Sequence, residues 1–273
     1  MSRIKLSVCN EMFEGWDIEK VFRYAAELGY DGVEISPFTL ADSVTEIAPE
    51  RRREIRRAAR EAGVEIVGLH WLLVSPKGLY INHPDDAIRR KTRDYMIALI
   101  ECCGDLGGKV MVVGSPKQRD VLEGETYRAT WERTLDVFGA CLPVTERCGV
   151  TLCLEPLDGA QTNFITDTAE ALRMVEEIAH PNFQTMVDVR SASFGEREEV
   201  ADVVRRVKDH LGHFHANDAN SLGPGFGDVE YAPIAEALKE VGYEGYASVE
   251  VFDFTPGPKE IASRSLAYLK KFF

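Results

Sequence analysis

The sequence predicts an α/β fold closed into a (β/α)8 barrel, on two observations. Short apolar runs alternate with amphipathic helical segments eight times along 273 residues, which suits eight βα units better than an open doubly wound sheet. A second pattern recurs: a helix ends at glycine, an apolar run follows within a few residues, and the run ends in polar chemistry. Copies are Ala25 to Gly29 before Val33-Glu34-Ile35, Ala62-Gly63 before Val64 to His70, Leu106 to Gly108 before Val110 to Val113, Cys148-Gly149 before Val150 to Glu155, and Val241-Gly242 before Tyr246 to Glu250. Glycine adopts the left-handed conformation that stops a helix, so each copy marks an αβ joint. No Ser/Gly/Pro-rich linker interrupts the chain, and 1–273 is read as a single domain.

In chain order, strands are expected near 4–9, 31–35, 64–69, 109–113, 150–155, 184–188, 212–216 and 245–250. Helices are expected near 17–28, 50–62, 84–106, 124–148, 167–179, 197–209, 231–241 and 258–271. In the first helix Asp17 is placed as N-cap, and Ile18, Val21, Phe22, Ala25 and Leu28 share one face. Arg51-Arg52-Arg53, Arg56, Arg57 and Arg60 are interleaved with Glu50, Glu54 and Glu61, which reads as a solvated face of the second helix. Pro84 with Asp85-Asp86 opens the third helix, proline needing no donor there and acids suiting the positive end of the dipole. Pro143 is expected to kink or split the fourth. No G-x-G-x-x-G or Walker loop follows the first strand, which disfavours a dinucleotide fold.

Lys plus Arg is 32 against Asp plus Glu 45, a net charge of −13 that opposes nucleic-acid or anionic-membrane binding. The six cysteines form no CxxC pair, and Cys102, Cys103 and Cys153 lie in apolar elements, so reduced thiols in a cytoplasmic protein are expected. No apolar run approaches the length needed to span a bilayer.

Glu155, Asp188, His215 and Glu250 stand at or near the ends of four successive strand-like runs. If those strands form one barrel, the four side chains converge at its C-terminal mouth. An O/O/O/N donor set suits Mn²⁺, Mg²⁺ or Co²⁺, with Zn²⁺ also possible, better than a thiolate-seeking ion would require. Each residue has a structural alternative: a strand-end ion pair for Glu155, neutralisation by Arg190 for Asp188, a hydrogen-bonded partner for Glu250. His213 and His215 face the same way along their strand, and His215, nearer the mouth, is taken as the ligand. Other strand ends supply candidate substrate contacts. Those are Glu34, the pair His70-Trp71, Lys117 and Arg119 after the fourth strand, Gln161, Arg190 with Ser191, and Asn217. Gly223 to Gly227 is a flexible loop beside the site.

The stretches Leu154-Glu155-Pro156-Leu157, Thr162-Asn163-Phe164, Thr168 to Leu172, Val187-Asp188, Gly212 to His215, and Gly242-Tyr243 leading to Glu250 resemble the sugar isomerase/epimerase superfamily with a xylose-isomerase-like barrel. The second half is most similar to its ketose 3-epimerase (tagatose/psicose 3-epimerase-like) branch. The resemblance implies one divalent ion, Mn²⁺ or a close relative, on Glu155, Asp188, His215 and Glu250. It also implies that Glu155 and Glu250 exchange protons with opposite faces of a small carbohydrate, and that homodimers or homotetramers form. Three positions depart from the branch: Ser191 stands where a histidine is common, Gln161 where a glutamate is, and Ser221 where an arginine is. The implied chemistry is isomerisation or epimerisation beside a carbonyl through an enediolate. Keto-polyol dehydration or keto-glycoside lysis by the same enolate chemistry is the competing enzyme reading, and a sugar-binding or scaffolding barrel the non-enzymatic one. Endonuclease IV-type DNA repair shares the barrel, but Ser115, Ser191 and Glu230 stand where its additional histidines would be sought.

Overall fold

A computed structural model describes residues 4–273. Eight parallel strands close in sequence order: β1 (Lys5–Cys9), β2 (Gly32–Ile35), β3 (Glu65–Leu69), β4 (Val110–Val113), β5 (Thr151–Leu154), β6 (Phe183–Asp188), β7 (Leu211–Ala216) and β8 (Tyr246–Val249), with β8 returning to β1 through Lys5↔Tyr246 to Val8↔Val249. Between them run α1 (Ile18–Leu28), α2 (Pro49–Ala62), α3 (Asp86–Leu106), α4 (Tyr127–Cys148), α5 (Thr168–Ile178), α6 (Val189–Gly195), α7 (Val200–Arg206), α8 (Tyr231–Glu240) and α9 (Pro258–Leu269). The expected strands and their order are all present.

Gly29, Gly63, Gly107 and Gly149 end α1 to α4 in the left-handed region, with φ of 93°, 85°, 91° and 63°. Their amides donate back to the last turn, as the recurring sequence pattern requires. Asp17 occupies the N-cap of α1 as expected, though its side chain makes no capping bond. Three local expectations need correction. In α3 the cap is Asp85, which accepts from Ala87 N at 2.8 Å, so Pro84 precedes the helix rather than opening it. Pro143 neither splits nor ends α4; Gly139, whose carbonyl loses a donor, is exposed and open to water. The segment after β6 holds an additional helix, α6, which starts at once because Asp188 caps it, accepting from Ser191 N at 2.7 Å.

The main apolar core lies between strands and helices, and a small second cluster of Val112, Cys153 and Met186 packs separately. Strand parity fixes which side chains join it. Val112 pairs with Cys153 and Met186 with His213, and residues two further along a strand face the same way. Glu155, Asp188, His215 and Glu250 therefore follow Cys153, Met186, His213 and Ser248 on the inward face, one step nearer the C-terminal mouth.

Candidate active site and metal centre

Glu155, Asp188, His215 and Glu250 each present a donor atom within 4.8 Å of the others, and all four residues are buried. His215 Nδ1 lies 2.9 Å from Glu250 Oε2 and 3.6 Å from Glu155 Oε1. Those three atoms are buried without a hydrogen-bond partner. Unpaired buried polar atoms are costly, and three gathered this closely are what a bound cation would satisfy. Ligands about 2.1 Å from a six-coordinate ion stand about 3 Å apart, comparable to the spacing seen. Three carboxylates and one imidazole form a hard donor set that suits a divalent cation.

Proton affinities in this cluster reflect the same crowding. Burial, with the neighbouring Glu250 charge, pushes the Glu155 carboxyl up to about 7. Burial and Glu250 likewise raise Asp188. For His215 burial acts downward, but Glu250 and Glu34 outweigh it and raise the imidazole well above its ordinary value. A divalent cation would replace protons that now offset this negative charge.

Surrounding side chains set the geometry of the four. Asn217 donates from Nδ2 to Asp188 Oδ2 at 2.5 Å and accepts Arg190 N at 2.7 Å. Trp71 Nε1 donates to Glu250 Oε1 at 2.8 Å, with the Trp71 backbone at φ 53°. A left-handed tryptophan is an uncommon strain that aims the indole at that carboxylate. Gly114, just past β4, backs Glu155: a Cβ there would overlap Glu155 Oε2.

Several expected substrate contacts are placed elsewhere. Glu34 lies beneath the site, fully buried, with one oxygen 2.8 Å from His213 Nε2 and the other 3.2 Å from His215 Nε2. Burial opposes its charge, yet the two histidines hold its carboxyl well below the ordinary range. His70 is also fully buried, with Nε2 at 2.7 Å from Glu11 Oε2 and 3.0 Å from Ser36 Oγ. Arg119 is buried and turned to backbone carbonyls, Glu155 O at 2.7 Å and Ile165 O at 3.2 Å. Lys117 is exposed on the short turn after β4. Arg190 does not neutralise Asp188; its Nη1 pairs with Asp158 Oδ2 at 3.1 Å. Trp71, Gln161, Arg190 and Ser191 remain gathered at the mouth, Gln161 Nε2 donating to Asp158 Oδ2 at 2.7 Å and Ser191 Oγ at 3.2 Å.

Glu11, Ser36, Gly114 and Asp158 were not singled out from sequence. Glu11 carried a readable signal, an acid two residues beyond the apolar run Leu6 to Cys9. The other three are recognisable only from what they touch.

The xylose isomerase-like TIM barrel family description matches residues 22–272. The chain belongs to this family. Its curated relatives include a D-psicose 3-epimerase from Ruminiclostridium cellulolyticum, 26% identical over 241 residues covering 86% of this chain and 77% of the relative. A 3-dehydro-D-guloside 4-epimerase from Escherichia coli K12 is 26% identical over 278 residues, covering 98% and 99%. Among solved structures, a 3-keto-D-glucoside 4-epimerase from E. coli superposes with a TM-score of 0.86 at 23% identity, covering 98% of this chain and 100% of that one. Among the described residues of this family member, no helix is long and apolar enough to cross a membrane.

Proposed function

We propose that this protein is a divalent-metal-dependent epimerase of keto-sugars, with Mn²⁺ as the resident ion on Glu155, Asp188, His215 and Glu250. The observation that carries the reading is the trio of unpartnered buried atoms, Glu155 Oε1, His215 Nδ1 and Glu250 Oε2, converging at a barrel mouth. The relatives support the class, since those named above are sugar epimerases. Elimination chemistry has no such support and is not carried forward.

When bound, the cation polarises the substrate carbonyl and acidifies the neighbouring C–H. Glu250 and Glu155 then divide the proton transfer. Glu250 is fixed by the Trp71 indole. Glu155, 3.6 Å from His215 Nδ1, is backed by Gly114 instead. Unlike environments for two carboxyls suit one to accept a proton while the other returns one to the opposite face of the enediolate. Glu34 orients His215 from below, and Asn217 orients Asp188. Six free cysteines suit a reducing, cytoplasmic setting.

The test is deuterium incorporation from D2O into keto-sugars by the Mn²⁺-loaded protein, followed by NMR. Exchange and epimer formation that vanish on chelation are expected; a metal-loaded protein that exchanges no substrate C–H across ketoses and keto-glycosides would sink the reading.

A further inference from the structure

One feature of the mouth lies outside this chemistry. From Glu250 an aromatic strip runs outward. Trp71, bonded to Glu250, stacks on Phe252 with ring centroids 6.4 Å apart and planes at 15°. The Arg190 guanidinium carbon sits 5.6 Å from the Phe252 ring centre and 5.5 Å from that of Phe194. Phe194 is 60% exposed, the one large hydrophobic side chain so exposed among the described residues. The strip is pinned. Arg190 Nε donates to Ser221 Oγ at 3.0 Å and Nη1 to Asp158 Oδ2 at 3.1 Å, while Phe252 N donates to the Ser221 carbonyl at 2.9 Å. Nη2 is left over from these bonds as a donor beside two ring faces.

A pyranose ring is about 5 Å across, and its C–H faces pack on aromatic rings while its hydroxyls take donors from arginine. One ring held at the ion would cover Trp71 and part of Phe252. Arg190 and Phe194 continue the strip beyond Phe252, in steps of 5.6 and 5.5 Å between guanidinium carbon and ring centres. A lone exposed phenylalanine is ordinary on a protein surface, but Phe194 adjoins a ring and a guanidinium that run continuously from Glu250, where a ligand longer than one ring would meet it.

We propose that Phe252, Arg190 and Phe194 form an outer subsite for a second ring, so that the substrate class is a keto-glycoside rather than a free ketose. This rests on the epimerase reading for the inner ring, but not on its proton chemistry.

The test titrates Mn²⁺-loaded protein by saturation-transfer NMR with methyl glucoside and a glucosyl-glucose disaccharide, which carry no ketone and bind without enolising. The two-ring ligand is expected to bind at least tenfold more tightly, and Phe194→Ala to bring that ratio to within about twofold. Loss of fold would weaken both ligands together and leave the ratio. A wild-type ratio near one, a ratio unchanged in Phe194→Ala that still binds methyl glucoside as tightly as wild type, or binding of neither ligand by the wild-type protein overturns the subsite. A shift of Phe194→Ala from oligomer to monomer at constant ratio assigns Phe194 to a contact between copies instead. Deuterium exchange with the 3-keto forms of both ligands is run alongside; exchange absent with both while the affinity ratio holds would reject the epimerase reading and leave the subsite standing.

Discussion

Strands β5 to β8 each deliver one side chain to the ion-binding cluster, Glu155, Asp188, His215 and Glu250, whereas the first half delivers supports: Glu11, Glu34, His70, Trp71 and Gly114. Unpartnered buried atoms occur in both halves, on Glu11 and His70 as on Glu155, His215 and Glu250, but only the second-half three gather around one imidazole nitrogen, and both oxygens of Glu34 are engaged by histidines. In a closed barrel of quasi-equivalent strands, chemistry has been concentrated on one side and geometry on the other. Loss of a ligand should therefore abolish turnover, and loss of a support should loosen it.

The largest effect is expected from Glu250→Gln and Glu155→Gln, each lowering the exchange rate by about a thousandfold or more, since general acid-base groups contribute about 10² to 10⁴. Either variant with full activity would remove that residue from proton transfer. Glu34→Gln should weaken metal binding by about 10- to 100-fold, the usual range for a partner of a metal-bound histidine. Calorimetric titration with Mn²⁺ reads it, and unchanged affinity would erase the distinction between halves. Gly114→Ala pushes on Glu155 Oε2 and should cost about tenfold in affinity with little change in the circular dichroism spectrum.

A pH series sharpens the same contrast. Burial and Glu250 raise Glu155 to about 7 from an ordinary 4.5, so the metal-free protein binds an extra proton between those values. Stability of the metal-free form should fall as pH rises through that window, because the folded state there holds more protons than the unfolded. Metal must displace the proton, so Mn²⁺ affinity should drop at least about 25-fold between pH 7.5 and 5.5. Thermal melts and titrations at the two pH values check both signs. The smallest effect belongs to the opposite end of the barrel, where Lys5 and Glu65 pair at 2.6 Å with side chains 40% and 64% exposed. Glu65→Gln should change unfolding free energy by less than about 1 kcal/mol and leave exchange untouched.

Strand positions and the four converging donors were legible because their signals are local. A short apolar run ending in an acid or histidine can be read from neighbouring residues, and height along the strand, nearer the mouth, separates His215 from His213, which parity puts on the same face. Supports were legible only in part. Glu34, His70 and Arg119 were visible as polar groups at strand ends, but their directions depend on partners 36 to 179 positions away. Helix α6 was missed because its start signal is the Asp188 side chain itself, which sequence patterning assigned wholly to the ion. Pro143 reads in the sequence as a helix breaker, but the exposure of Gly139 that lets α4 run through it is a property of packing rather than of composition.

That double use of Asp188 has a mechanical reading. One of its oxygens holds the first turn of α6 and the other is held by Asn217, whose amide oxygen in turn grips Arg190. Arg190 and Phe194 both ride on α6. A cation seated against Asp188 would therefore bear directly on the first turn of the helix that carries Arg190 and Phe194.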